Sequence, residues 1–172
     1  MLKIIGIILV CGASSLLGTY FGSLPQHRVD ELNLWKKALL MLRAEIAFAS
    51  SPLPEAMRNI SMRAGKPVGP VFLDIAQALE AREKTDMSLI WARSFAKGQK
   101  ESHLSDEDRG WINNFGQTLG YLDKQMQIGA IDLACGYMDS QAKALGPSCV
   151  SAKKMCQSLG VLGGILIAVV LI

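Results

Sequence analysis

Two long stretches without a charged side chain constrain this chain more than any other feature. Residues 4–22 and 155–172 contain no Asp, Glu, Lys or Arg, whereas every charged residue except Lys3 lies between them. As helices they would measure about 28 and about 27 Å, close to a bilayer hydrocarbon core of about 30 Å. The pattern predicts an N-terminal transmembrane helix over 1–22, a polar domain over 23–153 and a C-terminal transmembrane helix over 154–172.

Each stretch has a second interpretation. The first has features of a cleaved signal peptide, because Lys3 precedes the apolar run and small residues occupy 13–15, but no clean cleavage site follows it. The second could be a buried helix that closes the polar domain, but it lacks a polar face over four turns. We therefore expect two retained membrane helices.

Small residues recur every four positions in both stretches. Such spacing lets two helices approach closely in lipid. It predicts packing against another membrane subunit or a second copy of the chain at Ser14, Gly18, Gly22, Gly160 and Gly164.

The basic residues that flank each stretch predict the orientation. Lys3 alone precedes the first stretch, and no basic residue follows the second. Several basic residues lie on the inner side of each: Arg28, Lys36, Lys37, Lys143, Lys153 and Lys154. Since basic flanks stay on the cytoplasmic side, we expect the polar domain to face the cytoplasm.

The polar domain has a helical pattern throughout. Apolar residues repeat at spacings of three and four from Leu32 to Ala49, which predicts a long amphipathic helix over 29–49. Further helices are predicted to begin at or near Ser51, Gly69, Asp86, Ser105 and Asp123. Breaks are predicted at the Pro and Gly positions 50–54, 65, 98–103, 120 and 146–147. No strand pattern rises above noise, so the predicted fold is all-α, a cytoplasmic bundle of about six helices flanked by the two transmembrane helices.

The start of the fifth helix has a strong local signal. Ser105 precedes Asp106, Glu107 and Asp108, so a serine cap is followed by carboxylates that the positive end of the helix dipole stabilises. The same acidic cluster could suggest a metal site, but consecutive helical residues point in different directions. Capping is therefore the sufficient interpretation.

Few residues offer catalytic chemistry. His27 and His103 are expected to be surface side chains, and no phosphate-binding loop, dinucleotide motif or nucleophile motif is present. The cysteines lack CxxC spacing and are expected to be small apolar packing residues. A net charge of +3 from 18 basic and 15 acidic residues is too balanced for a typical nucleic-acid binder. We expect no enzyme activity, no cofactor, no bound metal and no nucleic-acid partner.

Four stretches together have a specific order and spacing. They are MLKIIGIILV at 1–10, LWKKALLMLRAEIAFASSPLPEAM at 34–57, FGQTLGYLDKQMQ at 115–127 and KKMCQSLGVLGGILIAVVLI at 153–172. Over nearly its full length the chain resembles the stage III sporulation protein AB family of endospore-forming bacteria. The motif residues that carry the resemblance are Glu45, Pro52, Pro54, Glu55, Leu119, Gly120, Asp123 and Gln127.

The resemblance implies a role in endospore formation. It implies that the chain is a membrane subunit of the channel between mother cell and forespore, similar to the inner-membrane platform proteins of type II secretion and type IV pilus machines. Partners implied are the other membrane subunits and a cytoplasmic motor ATPase, and the location implied is the mother-cell membrane. Two alternatives stay open: a platform protein outside sporulation, and a membrane-bound enzyme with an unrecognised site.

The motif residues also have structural explanations. Gly120 could end the helix that begins at Ser105, and Asp123 could cap the next helix, with Gln127 one turn later on the same face. Glu55 stands in the first turn of a helix, where a carboxylate is stabilised without a partner. A partner contact and a structural role are both open for these positions.

Overall fold

The computed structural model describes residues 2–48, 52–82, 85–119 and 123–171. Within 2–22 and 147–171 it describes the helical backbone but few of the side chains. Over the described residues the chain forms six α-helices, one 3₁₀ turn and no strand. The helices are α1 (Leu2–Phe48), α2 (Leu53–Ala64), α3 (Val68–Glu80), α4 (Met87–Gly98), α5 (Asp106–Thr118) and α6 (Lys124–Leu171), and the 3₁₀ turn is Gln99–Glu101. The predicted all-α class and the number of helices are confirmed.

The chain divides into two compact units. One consists of Met1–Val29 together with Lys143–Ile172, the first part of α1 and the last part of α6. The other, Asp30–Ala142, contains the rest of those two helices and all of α2 to α5. We call this second unit the helical unit.

An aromatic cluster forms the centre of the helical unit. Trp91 of α4 is fully buried and meets Trp35 of α1, Phe72 of α3 and Phe115 of α5 at ring-centroid distances of 5.6 to 6.3 Å. Phe95 adds an edge-on contact to Trp35 at 5.4 Å. Each such pair stabilises the folded state by about 0.5–1.5 kcal/mol beyond the contribution of the apolar area that it buries. One cluster therefore holds four helices together.

Apolar spacing explains why the shorter helices pack where they do. α2 buries a face at intervals of three and four residues: Ala56, Met57, Ile60 and Ala64. α2 packs on α3, α3 on α4 and α4 on α5. At the surface of the first pair, Arg58 donates to Glu80 with its Nε 2.9 Å from Oε1. This hydrogen bond lowers the pKa of Glu80 below its ordinary value.

The turn after α2 depends on a glycine. Gly65 has φ +73°, in the left-handed region where a side chain is strained, and it occupies the C-cap position. The predicted end of this helix at Gly65 is confirmed.

Within the helical unit, α1 and α6 run antiparallel. Lys36 Nζ lies 2.5 Å from Asp139 Oδ1, and Arg43 Nε lies 2.8 Å from Asp132 Oδ1. Residue numbers rise along one helix as they fall along the other, which fixes the direction. These half-exposed pairs set register more than stability, because exposed ion pairs contribute about 0–1 kcal/mol.

Some apolar side chains of the helices are exposed to solvent. Leu89, Met126 and Leu133 are 55 to 65% exposed, whereas Ile131, whose position on α6 lies between the latter two, is fully buried. The periodic pattern identified the helices, but it did not decide which apolar face is turned to the interior.

The predicted break at 146–147 is wrong, because α6 continues as helix from Lys124 to Leu171. A proline inside a helix removes one backbone hydrogen bond, and a bend can accommodate it without ending the helix. α1 likewise contains Pro25.

In the part of the chain that the structure describes, no helix is long and apolar enough to cross a membrane. The predicted spans over 1–22 and 154–172 lie largely where side chains are outside the description. The same holds for the small-residue positions Ser14, Gly18, Gly22, Gly160 and Gly164, of which only the helical backbone is described. Both spans and their packing positions stay predictions.

Candidate functional site

The first group of motif residues lies where α1 ends and α2 begins. Glu45 is half-buried on the last turns of α1. Pro52 occupies the N-cap position of α2 without a side-chain cap, and Pro54 and Glu55 stand in its first turn. The predicted serine cap at Ser51 lies outside the described residues. α1 ends at Phe48 and α2 begins at Leu53. A proline at position 52 is compatible with a new helix start, because proline disfavours helix in the residue before it.

The second group lies where α5 ends and α6 begins. Leu119 is the C-cap of α5 and is 2% exposed. Asp123 Oδ1 accepts from the backbone N–H of Met126 at 2.8 Å, so the predicted cap of α6 is confirmed. Gln127 is half-buried one turn later. Gly120 lies outside the described residues, and α5 ends at Thr118.

The fold brings the two groups together. Lys124, next to Asp123, donates from Nζ to the backbone oxygen of Ala47 at 2.8 Å. Glu45 shares a surface depression of about 330 Å³ with residues of α2, including Asn59 and Arg63. The end of α1, which carries Glu45, and the start of α6, next to Asp123, therefore lie close together, a juxtaposition that sequence spacing alone could not predict.

Two buried carboxyl groups have structural roles. Asp108 is fully buried, and its Oδ2 accepts from Ser105 N–H at 2.9 Å while Ser105 Oγ accepts from Asp108 N–H at 3.2 Å. This reciprocal capping box confirms the predicted helix start. Tyr137 of α6 donates to Asp108 Oδ1 at 3.0 Å and stacks on Trp111.

Glu31 of α1 is the second buried carboxyl group. It is 3% exposed and accepts from Ser102 Oγ at 2.8 Å and from His103 N–H at 2.7 Å. Both donors lie in the connection between α4 and α5, so this side chain holds that connection against α1. Sequence reasoning missed both Glu31 and this role of the connection, since a glutamate in an amphipathic helix is usually on the solvent side.

The described titratable residues form no evident catalytic constellation. Among them, no group of three or more His, Cys, Asp or Glu could hold a metal ion. His27 and His103 are exposed, as expected. Cys135 is a buried free thiol, and burial raises its pKa to about 11, with the nearby Asp132 carboxylate adding to the rise. Such a thiol is a packing residue and a poor nucleophile.

A basic groove of about 310 Å³ lies between α3 and the end of α4. Three lysines line it, Lys66, Lys97 and Lys100, together with the buried Ser94. We call it the basic groove. Two of the lysines are close in sequence and the third is about 30 positions earlier, so no local signal could have grouped them.

An apolar recess of about 330 Å³ adjoins the basic groove, and the two share Lys66 and Pro70. It lies between α2 and α3, and the exposed side chains of Met62 and Leu73 stand on its walls. We call it the apolar recess.

Comparison with known proteins settles the family. The family model described as stage III sporulation protein AB matches residues 3–172. The chain belongs to this family. A stage III sporulation protein AB of Bacillus subtilis (strain 168) is 26% identical over 171 residues, which covers 99% of both chains.

A solved structure of a stage III sporulation protein AB is similar in fold. It superposes with a TM-score of 0.66 at 23% identity, covering 72% of this chain and 97% of the solved one. The chain thus shares its fold with that protein, and the resemblance to the family is confirmed.

Proposed function

We propose that this chain is a non-catalytic platform subunit of the channel between mother cell and forespore, required for endospore formation. The observation that carries the proposal is the family match over residues 3–172, which spans the helical unit and both apolar stretches. The chain would be held in the mother-cell membrane, with the helical unit in the cytoplasm, where it docks a motor ATPase and contacts other membrane subunits.

The geometry of the helical unit supports a docking role. Its two buried carboxyl groups, Glu31 and Asp108, accept hydrogen bonds that hold the fold together. Its surface presents a basic groove and an apolar recess. A platform needs a rigid body with exposed contact surfaces, and an aromatic cluster shared by four helices provides rigidity.

A cross-linking experiment in sporulating cells tests the proposal. The full-length tagged chain is cross-linked and purified, and the channel's motor ATPase and membrane subunits are expected to co-purify with it. A variant that joins the two apolar stretches by a flexible linker in place of residues 23–153 is expected to retain the membrane subunits and lose the ATPase. Equal recovery of the ATPase with both chains, or recovery with neither, would contradict the proposed docking role.

A further inference from the structure

We propose that the basic groove and the apolar recess together form one docking site for an acidic protein segment that carries an apolar side chain. The inference builds on the proposed docking role but needs no particular partner. Neither surface belongs to the motif residues that carry the family resemblance.

The charge of the basic groove favours an acidic occupant. Lys97 is paired with Asp74, with its Nζ 2.7 Å from Oδ2 and 3.1 Å from Oδ1. Lys66 and Lys100 are exposed, and neither forms an ion pair with another described residue. Three lysines and one aspartate leave a net charge of +2 on the lining, counted from the same set of residues. Carboxylates of a partner would form ion pairs with Lys66 and Lys100.

A buried hydroxyl adds a second reason for a ligand. Ser94 is 2% exposed and lines the basic groove, yet its Oγ has no hydrogen-bond partner among the described residues. Leaving a buried hydroxyl unpaired is unfavourable, and most such groups find an acceptor. A carboxylate oxygen that enters the groove would supply that acceptor.

The apolar recess gives the occupant its second feature. Met62 is 73% exposed and Leu73 is 36% exposed, so apolar area is left in water on both walls. Arg58, also on this lining, is already paired with Glu80. Because the recess and the groove share Lys66 and Pro70, a segment with an apolar residue next to acidic ones can fill both.

These features favour a protein segment over lipid or nucleic acid. A concave groove with a hydroxyl on its lining suits a projecting side chain, whereas a flat layer of lipid headgroups meets mainly the outermost lysines. Single-stranded nucleic acid needs a longer basic track with exposed aromatic rings for stacking, and neither surface has an aromatic lining residue.

Peptide binding to the full-length protein in an uncharged detergent tests the inference. The probe is a fluorescein-labelled peptide of glutamate pairs separated by single leucines, measured by fluorescence anisotropy at low salt. We expect it to bind about tenfold more tightly than its glutamine analogue, and to weaken as salt is added. Replacing its leucines by alanine should weaken binding by about threefold or more, because the recess loses its occupant.

Charge reversal locates the site. Lys66→Glu combined with Lys100→Glu should weaken binding of the acidic peptide by about tenfold or more. The matched control, Lys37→Glu combined with Arg82→Glu, reverses two exposed charges that line neither surface and should leave binding unchanged. Ser94→Ala should weaken binding by about threefold, since it removes one donor to the carboxylate. Circular dichroism of each variant checks that it is folded.

Three results would overturn the inference. The first is equal affinity for the glutamate and glutamine peptides, and the second is an equal effect of the two charge-reversal pairs on binding. The third is displacement of the peptide by mixed detergent micelles that contain phosphatidylglycerol at the same concentration of negative charge as the peptide, which would indicate a lipid surface. The peptide assay contains no ATPase, and the cross-linking assay contains no peptide. The docking site and the proposed function can therefore fail separately.

Discussion

At the scale of single residues, Gly116 of α5 has the least room for a side chain among the described glycines, because it lies against Trp91 of α4. A Cβ added at Gly116 would lie 1.9 Å from Trp91 Cδ1. The indole cannot move aside, because Trp35, Phe72 and Phe115 surround it. In the sequence, this glycine looks like any other glycine on a helix.

Gly116→Ala is therefore expected to destabilise the helical unit by about 1–3 kcal/mol, the usual cost of overfilling a packed core. Gly110→Ala, on the same helix with nothing within 4 Å of its added Cβ, is the control. It should be neutral or stabilise by up to about 1 kcal/mol, since alanine is the better helix former. Urea unfolding of both full-length variants in detergent, followed by tryptophan fluorescence, measures the difference. Equal midpoints would show that the indole can shift.

Cys135 should react very slowly with thiol reagents in the folded protein. With a pKa of about 11, only about one thiol in a thousand is ionised at pH 8. A variant with serine at Cys11, Cys149 and Cys156 isolates this thiol, and maleimide labelling should become rapid only in guanidinium. In the control, Cys135 is also serine and Ser140→Cys places an exposed thiol on the same helix. Equal labelling rates for the two folded proteins would show that α6 opens readily here.

At the scale of helices, local signals mark where α5 and α6 begin. The capping serine and acidic residues at 105–108, and the capping aspartate at 123, were readable because a cap involves only residues within one turn. The continuation of α6 through Pro147 was not readable, since a proline breaks or bends a helix according to its surroundings. The lysines of the basic groove could not be grouped for a related reason: the approach of α3 to α4 brings them together.

The capping box makes a prediction about α5. Ser105→Ala removes the acceptor for Asp108 N–H and should lower the free energy of unfolding by about 1 kcal/mol. Asp108→Ala should cost more, because it leaves both Ser105 N–H and the Tyr137 hydroxyl without their acceptor. Urea midpoints measure both changes, with Asp106→Ala as the control at a fully exposed side chain. A cost for Asp106→Ala equal to that for Asp108→Ala would mean that the buried network contributes little.

At the scale of the whole molecule, the family is certain and the membrane association is a prediction from the two apolar stretches. The resemblance could be recognised because the four stretches that carry it are spread from residue 1 to residue 172. The approach of the end of α1, near Glu45, to the start of α6, near Asp123, became visible only in three dimensions, through the contact of Lys124 with Ala47. Spacing along a chain does not encode such a contact.

We expect the full-length chain to stay with membranes after an alkaline carbonate wash, because two apolar helices of about 27 Å would sit in the hydrocarbon. Removing 154–172 alone should leave it anchored through 1–22, and removing both stretches should release it. Immunoblots of pellet and supernatant measure this. Release of the full-length chain by carbonate would contradict both predicted spans.

The enclosed carboxyl group of Glu31 has a kinetic consequence for the connection between α4 and α5. This connection has little regular structure, yet its His103 N–H points at a partner shielded from water. Solvent deuterium can replace that hydrogen only when the contact with α1 opens. We expect the His103 amide to exchange as slowly as the amides of the neighbouring helices. In the Glu31→Ala variant it should exchange as fast as an amide in a solvent-exposed loop.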